Sequence, residues 1–519
     1  MASPLSKMVR HAMRMMVGTF ASRVLGLLRE IITAALFGAT RQLDAFLVAY
    51  TLANLSRQLL AEGALSAAFV PVFSRVVAEG GREKAEQLAR QMTTVLLLAG
   101  GGVVAAGIFG APLLVRLMAP GFSGADADLA VLLTRLMFPF LILISVAALA
   151  MGVLNSLDSF FIPAVAPAVS NLLYILLLAI LAPRTGIWAL PAAVLAGGAA
   201  QMSLQWWRSG TLGVPLIPGR PNWADPELKK VICLFLPYMA GLSLNQVNPV
   251  ISRMVGSFLE GGTISALSYA DRVIQLPLGL FVIAISQAVL PLLSRLGPEE
   301  TEAFARMTRD ALRFTLFVIL PVVVGMSLLA RPMVHLLFVR GAFNEWAWSA
   351  TSRALALYVL GLPGMACSTV VMRGLYARRL PKEALKVTGI TVALNLFFCV
   401  TLVHLFSYAG LALATSLAFT GGALMGTWSL RRHLKAPIEV LSGEWILRHG
   451  IPLFLMAAVI LAGSWLFPYD PASRLLGKML WVLIAVSAGA VVYGIASWLS
   501  GCDEWKWVSG AFRKEERFS

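Results

Sequence analysis

Charge is scarce in this chain. Only 13% of its 519 residues are Asp, Glu, Lys or Arg, while 58% are hydrophobic and the mean hydropathy is +0.80; soluble domains carry about one charged residue in four. A soluble globular domain is therefore excluded, and the composition is that of a polytopic membrane protein. Cysteine is equally sparse. Cys233, Cys367 and Cys399 lie inside apolar segments and Cys502 just beyond one, with no spacing that suggests a disulfide framework or a zinc site, so no metal is expected. The five histidines (His11, His335, His404, His433 and His449) fall near segment ends, where they read as interfacial residues. The sequence has no Walker A, GxSxG, HExxH or CxxC motif, which excludes the ATP-driven engines and hydrolases built on them. A glycine run, "AGGG" at 99–102, follows no strand and reads as close helix packing.

Long apolar runs dominate what is present. Spanning ~30 Å of hydrocarbon takes about 20 helical residues, and fourteen segments qualify, near 9–37, 43–77, 90–116, 129–154, 160–182, 187–207, 229–258, 264–295, 312–338, 347–376, 384–405, 409–431, 445–467 and 476–499. No cleavable signal is expected at the N-terminus, because the apolar run after Arg14 continues to Gly38. Pro139, Pro237, Pro277 and Pro363 mark expected bends. With a cytoplasmic N-terminus, 26 of the 42 basic residues fall in inside segments and only seven outside, so both termini are expected in the cytoplasm. The net charge of +16 is then largely topology, and no nucleic-acid partner is expected.

The chain also repeats. "FVPVFSRV" at 69–76 parallels "AVLPLLSRL" at 288–296, aligning Pro71 with Pro291 and Arg75 with Arg295; "TRLMF" at Thr134 parallels "SRALA" at Ser352, and "SNLLYIL" at 170–176 parallels "LNLFFCV" at 394–400. "SRVLG" at Ser22 echoes "SRMVG" at Ser252 with slipped spacing. These echoes in common order imply an all-α fold of two parallel six-helix lobes, related by a pseudo-twofold axis along the membrane normal, plus two extra C-terminal helices. The expected divisions are a lobe over 1–208, a cytoplasmic linker over 209–228, a second lobe over 229–435, the added helices over 436–500 and a cytoplasmic tail over 501–519. The tail's Trp505, Trp507 and Phe512 suggest an interfacial helix.

Nine basic residues remain within spans: Arg23, Arg29, Arg57, Arg75, Arg135, Arg253, Arg272, Arg353 and Arg373. An ionised side chain at mid-membrane costs at least ~3 kcal/mol and normally faces a cavity or a partner. Arg75, Arg373 and Arg253 sit near ends and are read as snorkelling. Helical rise places Arg29 and Arg272 at a depth of ~12 Å, and Arg23 and Arg57 at ~21 Å. Glu30, Asp44, Glu62 and Asp271 are the nearby acids; Arg23 and Glu30 are ~10 Å apart along the axis, too far to pair without a bend at Gly26. An arginine excess in a dry site suits a phosphate or pyrophosphate, which a guanidinium binds through two oxygens. The alternative is a buried network holding the lobes together.

The stretch "SRVLGLLREIITAALFGATRQLDAFLVAYTLANLSRQLLAEGALSAAFVPVFSRV" at 22–76, with "YADRVIQLPLG" at 269–279, resembles the signatures of the MurJ/MviN family of bacterial lipid II flippases, within the multidrug/oligosaccharidyl-lipid/polysaccharide exporter superfamily. The resemblance implies flipping of undecaprenyl-pyrophosphate-linked lipid II across the cytoplasmic membrane by alternating access, without enzymatic chemistry. It places the substrate-binding set on Ser22, Arg23, Arg29, Asp44, Arg57, Glu62, Asp271 and Arg272, and a groove for the polyprenyl tail on helices 13 and 14. Its partners are lipid II and membrane lipids, with room for cell-wall synthesis proteins. Two departures stand out. Gln275 replaces an acid common in the family, and segments 229–258 and 384–405 lack the carboxylates of sodium-coupled members, leaving Asn395 and Thr415 as oxygen donors. No cofactor is expected, a sodium site is weakened or absent, and membrane potential is the expected driving force. The alternatives are an exporter of another lipid-linked oligosaccharide or of a drug, a membrane enzyme acting on polyprenyl pyrophosphates, and a structural scaffold in cell-wall assembly.

Overall fold

The computed structural model describes residues 4–57, 64–243 and 246–507. Among these the regular structure is helical, with no strand. In order, the helices are α1 (Pro4–Phe37), α2 (Arg41–Arg57), α3 (Ala64–Met118), α4 (Ala125–Met137), α5 (Phe140–Ser156), α6 (Phe161–Thr185), α7 (Ala189–Thr211), α8 (Pro226–Ser243), α9 (Val247–Gly256) and α10 (Thr263–Pro277). They continue as α11 (Ile283–Ser294), α12 (Thr301–Leu328), α13 (Ala330–Phe338), α14 (Glu345–Val359), α15 (Leu362–Ala377), α16 (Pro381–Phe406), α17 (Tyr408–Leu434), α18 (Gly443–Leu466) and α19 (Leu475–Leu499).

Each of the fourteen expected segments lies mostly on helix among the described residues, with turns inside them at 138–139, 257–258, 329 and 360–361. Nine helices among the described residues are long and apolar enough to cross a membrane, or ten if α14 and α15, bent by 42°, are one span. This count is lower than fourteen for physical reasons. One counted stretch, Ala67–Met118, has 52 residues and would be about 78 Å long if straight, over twice a bilayer core; it turns at Gly81, whose φ of 74° suits glycine. Phe161–Thr211 likewise covers two expected segments, with a 3₁₀ turn at Gly186–Trp188 between them. α1, carrying Arg23, Arg29 and Glu30, is not among the nine.

Proline sets most of the bends. α4 gives way to α5 at Phe138 and Pro139, and α14 gives way to α15 just before Pro363. After Pro277 the chain makes a π turn, Leu278–Val282, because proline has no N–H for the helical ladder. Pro237 lies within α8. Two starts are capped by side chains: Asn344 accepts from the Ala347 amide at 2.9 Å, and Ser442 from the Trp445 amide at 3.2 Å.

Packing divides the chain into two compact units, Met1–Ser265 with Arg340–Phe343, and Ala266–Val339 with Asn344–Ser519. This partition keeps α8 and α9, which follow the expected linker at 209–228, with the first unit. There Glu227 of α8 pairs with Arg75 of α3, and Asp225 accepts from Gln91 at 3.2 Å. Arg75, read as a snorkelling residue, thus has a carboxylate partner. In the glycine run, Gly100 is buried with Ile142 3.7 Å from where its Cβ would stand, an ordinary contact, and a Cβ on Gly101 or Gly102 would meet nothing within 4 Å, which corrects the close-packing reading; the tight approach is five residues on, where a Cβ on Gly107 would stand 2.1 Å from the Phe138 ring.

The second unit is built on Leu293, Phe304, Leu312, Val370, Leu375 and Leu430. A second cluster joins Phe317 and Leu329 to Met456, Ile460 and Tyr493 of the added helices, and Tyr493 donates to the Phe317 carbonyl at 2.9 Å. The start of the tail tucks in here: Trp505 donates to Ser497 Oγ at 2.8 Å, and Glu504 is buried. Residues 508–519, including Phe512, lie outside the described residues. Many large apolar side chains are exposed, with Phe109 and Trp465 each at 82%, as suits helices that face lipid.

Candidate functional site: the membrane arginines and Asp44

Arg29 sits in a pocket made by α1 and α6. Its Nη2 donates to Glu30 Oε1 at 2.8 Å and its Nη1 to Asn171 Oδ1 at 3.3 Å. The guanidinium carbon lies 5.2 Å from the centre of the Tyr174 ring. Thr33 Oγ1 donates to the Arg29 carbonyl at 2.8 Å and stands 3.3 Å from Tyr174 Oη. Asn171 also donates to the Ser22 carbonyl at 3.2 Å, so Ser22 contributes through its backbone, and Gly26 lies opposite the same amide. The partner of Glu30 is therefore its neighbour Arg29, and α1 runs unbroken through Gly26. Arg29 keeps 20% of its side chain exposed, which leaves it anchored by an amide and an aromatic face yet reachable. Arg23, one to two turns earlier, is exposed and makes no hydrogen bond or ion pair among the described residues.

On α10, in the second unit, Arg272 Nη1 donates to Gln275 Oε1 at 3.3 Å, and Gln275 Nε2 donates to Asp271 Oδ2 at 2.6 Å. The neutral amide links cation and acid, so the family acid that Gln275 replaces is not needed for this connection. Arg57 is half-buried and donates to Asn54 Oδ1 at 2.8 Å. Glu62 lies outside the described residues.

Asp44 differs from these. It is fully buried, and its oxygens are occupied: Oδ1 accepts from the Ser265 amide at 2.7 Å and the Ser265 hydroxyl at 2.6 Å, and Oδ2 accepts from the Gly262 amide at 2.7 Å. Its carboxylate caps the amides at the start of α10. In this conformation the Asp44 oxygens are thus all turned to protein donors. Next to it Arg41 reaches Asp126 at 3.3 Å and the carbonyls of Ser257 and Leu259, each at 3.3 Å. The Gly121 amide donates to Ser257 Oγ at 2.9 Å. Together they form a polar seam joining the starts of α2 and α4 to the loop 257–262.

Asn171, Tyr174 and Thr33 were not anticipated. Asn171 and Tyr174 belong to "SNLLYIL", one of the repeated stretches. The signal was available there: an amide and a phenol three residues apart on one face of an apolar helix need polar partners. Of the two sodium-type oxygen donors, Thr415 Oγ1 bonds back to the Leu411 carbonyl at 3.1 Å, and Asn395 is buried beside Cys399.

This multi-span helical architecture is shared with solved membrane transporters. A solved multidrug resistance MATE family transporter of the MOP superfamily, in an inward-facing conformation, shares the fold with a TM-score of 0.66 at 17% identity, over 80% of this chain and 94% of that one. Within that class, the chain belongs to the lipid II flippase MurJ family, whose description it matches over residues 33–480. A probable lipid II flippase MurJ of Rhizobium meliloti is 33% identical, covering 92% of this chain and 90% of the relative. The lipid II flippase MurJ of Burkholderia cenocepacia is 34% identical over 86% and 87%. A solved lipid II flippase MurJ in an inward closed conformation aligns with a TM-score of 0.76 at 27% identity, over 93% of this chain and 97% of that one.

Proposed function

We infer that the protein carries lipid II from the inner to the outer leaflet of the bacterial cytoplasmic membrane by alternating access. The observation that carries this reading is Arg29 of the first helix, held by Asn171 and Tyr174 of α6 and left partly exposed, in a chain of the MurJ family. A fixed guanidinium in a low-dielectric site binds phosphate oxygens strongly. Arg23, Arg29 and Arg272 capture the pyrophosphate, with Arg57 and the acids Glu62 and Asp271 shaping the field around it. The sugar-peptide headgroup needs polar surroundings, and the polyprenyl tail stays in lipid along α18 and α19.

Fourteen spans arranged as two six-helix lobes and an added pair, with both termini cytoplasmic, give the topology of this cycle. On that topology the seam at Asp44 and Arg41 faces outward, and substrate leaves when it opens. Membrane potential supplies the driving force, since moving one charge through 100 mV is worth about 2.3 kcal/mol. Cell-wall synthesis proteins consume the delivered lipid.

Binding of lipid II to the purified protein at two salt concentrations tests the reading. Arg29→Ala is expected to weaken binding by more than tenfold and to flatten its salt dependence. Equal binding by both proteins, together with normal growth of a flippase-depleted strain on Arg23→Ala, Arg29→Ala or Arg272→Ala, would overturn it.

A further inference from the structure

At the junction of α18 with the segment that follows α19, three different metal-binding side chains meet. His449, Cys502 and Glu504 place one donor atom each within 4.8 Å of one another, and they are 2%, 2% and 1% exposed. The His449 Nδ1 stands 2.8 Å from the Trp445 carbonyl, an acceptor, so this nitrogen carries the proton and Nε2 is turned inward. Nε2 lies 3.1 Å from Glu504 Oε2. The other carboxylate oxygen accepts from Trp445 Nε1 at 3.0 Å, and the Trp445 ring stacks on His449 with centroids 4.1 Å apart. Both the imidazole and the carboxylate are thus oriented from behind by a second residue, as metal ligands usually are.

We propose that His449 Nε2, Cys502 Sγ and a Glu504 oxygen bind one zinc ion, with water completing a tetrahedron. Bonds of about 2.0 Å to nitrogen and oxygen set those two atoms about 3.3 Å apart in a tetrahedral site, close to the 3.1 Å found. Sulfur at 2.3 Å would stand about 3.6 Å from either, so it moves inward by about 1.2 Å at most. The charges close: a thiolate, a carboxylate and a neutral imidazole balance Zn²⁺. Without metal the same pocket is neutral with a thiol and one proton shared between His449 and Glu504. Binding therefore releases two protons, one from Cys502 and one from the His449–Glu504 pair. The mixed nitrogen, sulfur and oxygen set favours zinc over the hard cations magnesium and calcium. The site fastens the end of the chain to α18, beside the core formed by Phe317, Met456 and Tyr493.

The full-length protein in detergent, stripped with a chelator and titrated with Co²⁺ and then Zn²⁺, tests this. One equivalent of Co²⁺ is expected to produce a thiolate charge-transfer band in the near ultraviolet, which Zn²⁺ abolishes by displacement. The band persists when the other cysteines are removed by Cys233→Ala, Cys367→Ala and Cys399→Ala, and is lost in Cys502→Ser. His449→Gln weakens binding by at least about tenfold. Absence of stoichiometric binding in the wild type, or an unchanged band in Cys502→Ser, overturns the site; because the wild-type titration decides on its own, a variant that fails to fold does not obscure the result.

Discussion

Replacing Asp44 with Asn separates a closing role from a substrate role. The carboxylate accepts three hydrogen bonds, all between 2.6 and 2.7 Å, with the side chain fully buried. An amide keeps one acceptor oxygen. If that oxygen stays on Ser265, the new NH₂ group faces the Gly262 amide, donor against donor, in a fully buried site. A hydrogen bond to a charged group contributes about 1.5–3 kcal/mol, and a stranded buried donor costs about 1–3 kcal/mol. A net loss of about 3 kcal/mol follows, equivalent to roughly a hundredfold rise in the open population of the seam. Hydrogen exchange reads this directly, because the amides of Gly262 and Ser265 are the bonded groups. Exchange in the segment 259–266 is expected to accelerate about a hundredfold, with or without lipid II. Unchanged exchange accompanied by lost transport would refute the argument and return Asp44 to direct action on substrate.

Glu30→Gln removes the carboxylate that holds Arg29 Nη2 and is expected to raise affinity for lipid II several-fold, measured in the same two-salt binding assay; weaker binding would contradict the competition between Glu30 and ligand. Arg272→Ala should abolish complementation of a flippase-depleted strain while the protein inserts normally, as judged by membrane fractionation. Gly341→Ala places a Cβ 2.2 Å from the Ala35 carbonyl at a φ of +58° and should lower stability by more than about 2 kcal/mol, seen as a reduced melting temperature. Gly101→Ala, with open space at the Cβ position, should be neutral or stabilising by up to about 1 kcal/mol in the same assay.

The helical segments were legible because bilayer thickness imposes a length and a composition on every span. Arg29 was legible for the same reason, as a charge that hydrocarbon does not tolerate without cause. Its partners were not. Axial distance correctly separated Arg23 from Glu30, but adjacent residues on a helix point about 100° apart, and only the long flexible arms of Arg29 and Glu30 bring their tips together. Asp44 looked like a site residue because it lies in a family motif; its burial depends on a loop more than 200 residues away, and no local pattern announces that contact. The glycine run misled because small residues permit close packing without requiring it, and Gly107, a single glycine, is where the chain uses the space. His449, Cys502 and Glu504 escaped a spacing rule because the donors belong to elements brought together only by the packing of α18 against the end of α19.

The pairing of Arg29 with Glu30 has a meaning for turnover. A carrier that binds its cargo too firmly never releases it. Glu30 is an internal competitor tethered beside the cation, always present at a high effective concentration. On the proposed reading a pyrophosphate, with several oxygens and more than one negative charge, would displace a single carboxylate, whereas a singly charged headgroup would gain little by doing so. On the proposed cycle, Glu30 reclaims the Arg29 guanidinium when the cargo leaves. If Arg29 binds the cargo as proposed, this one carboxylate sets a lower limit on the charge a ligand must bring and provides the exchange partner that lets it go.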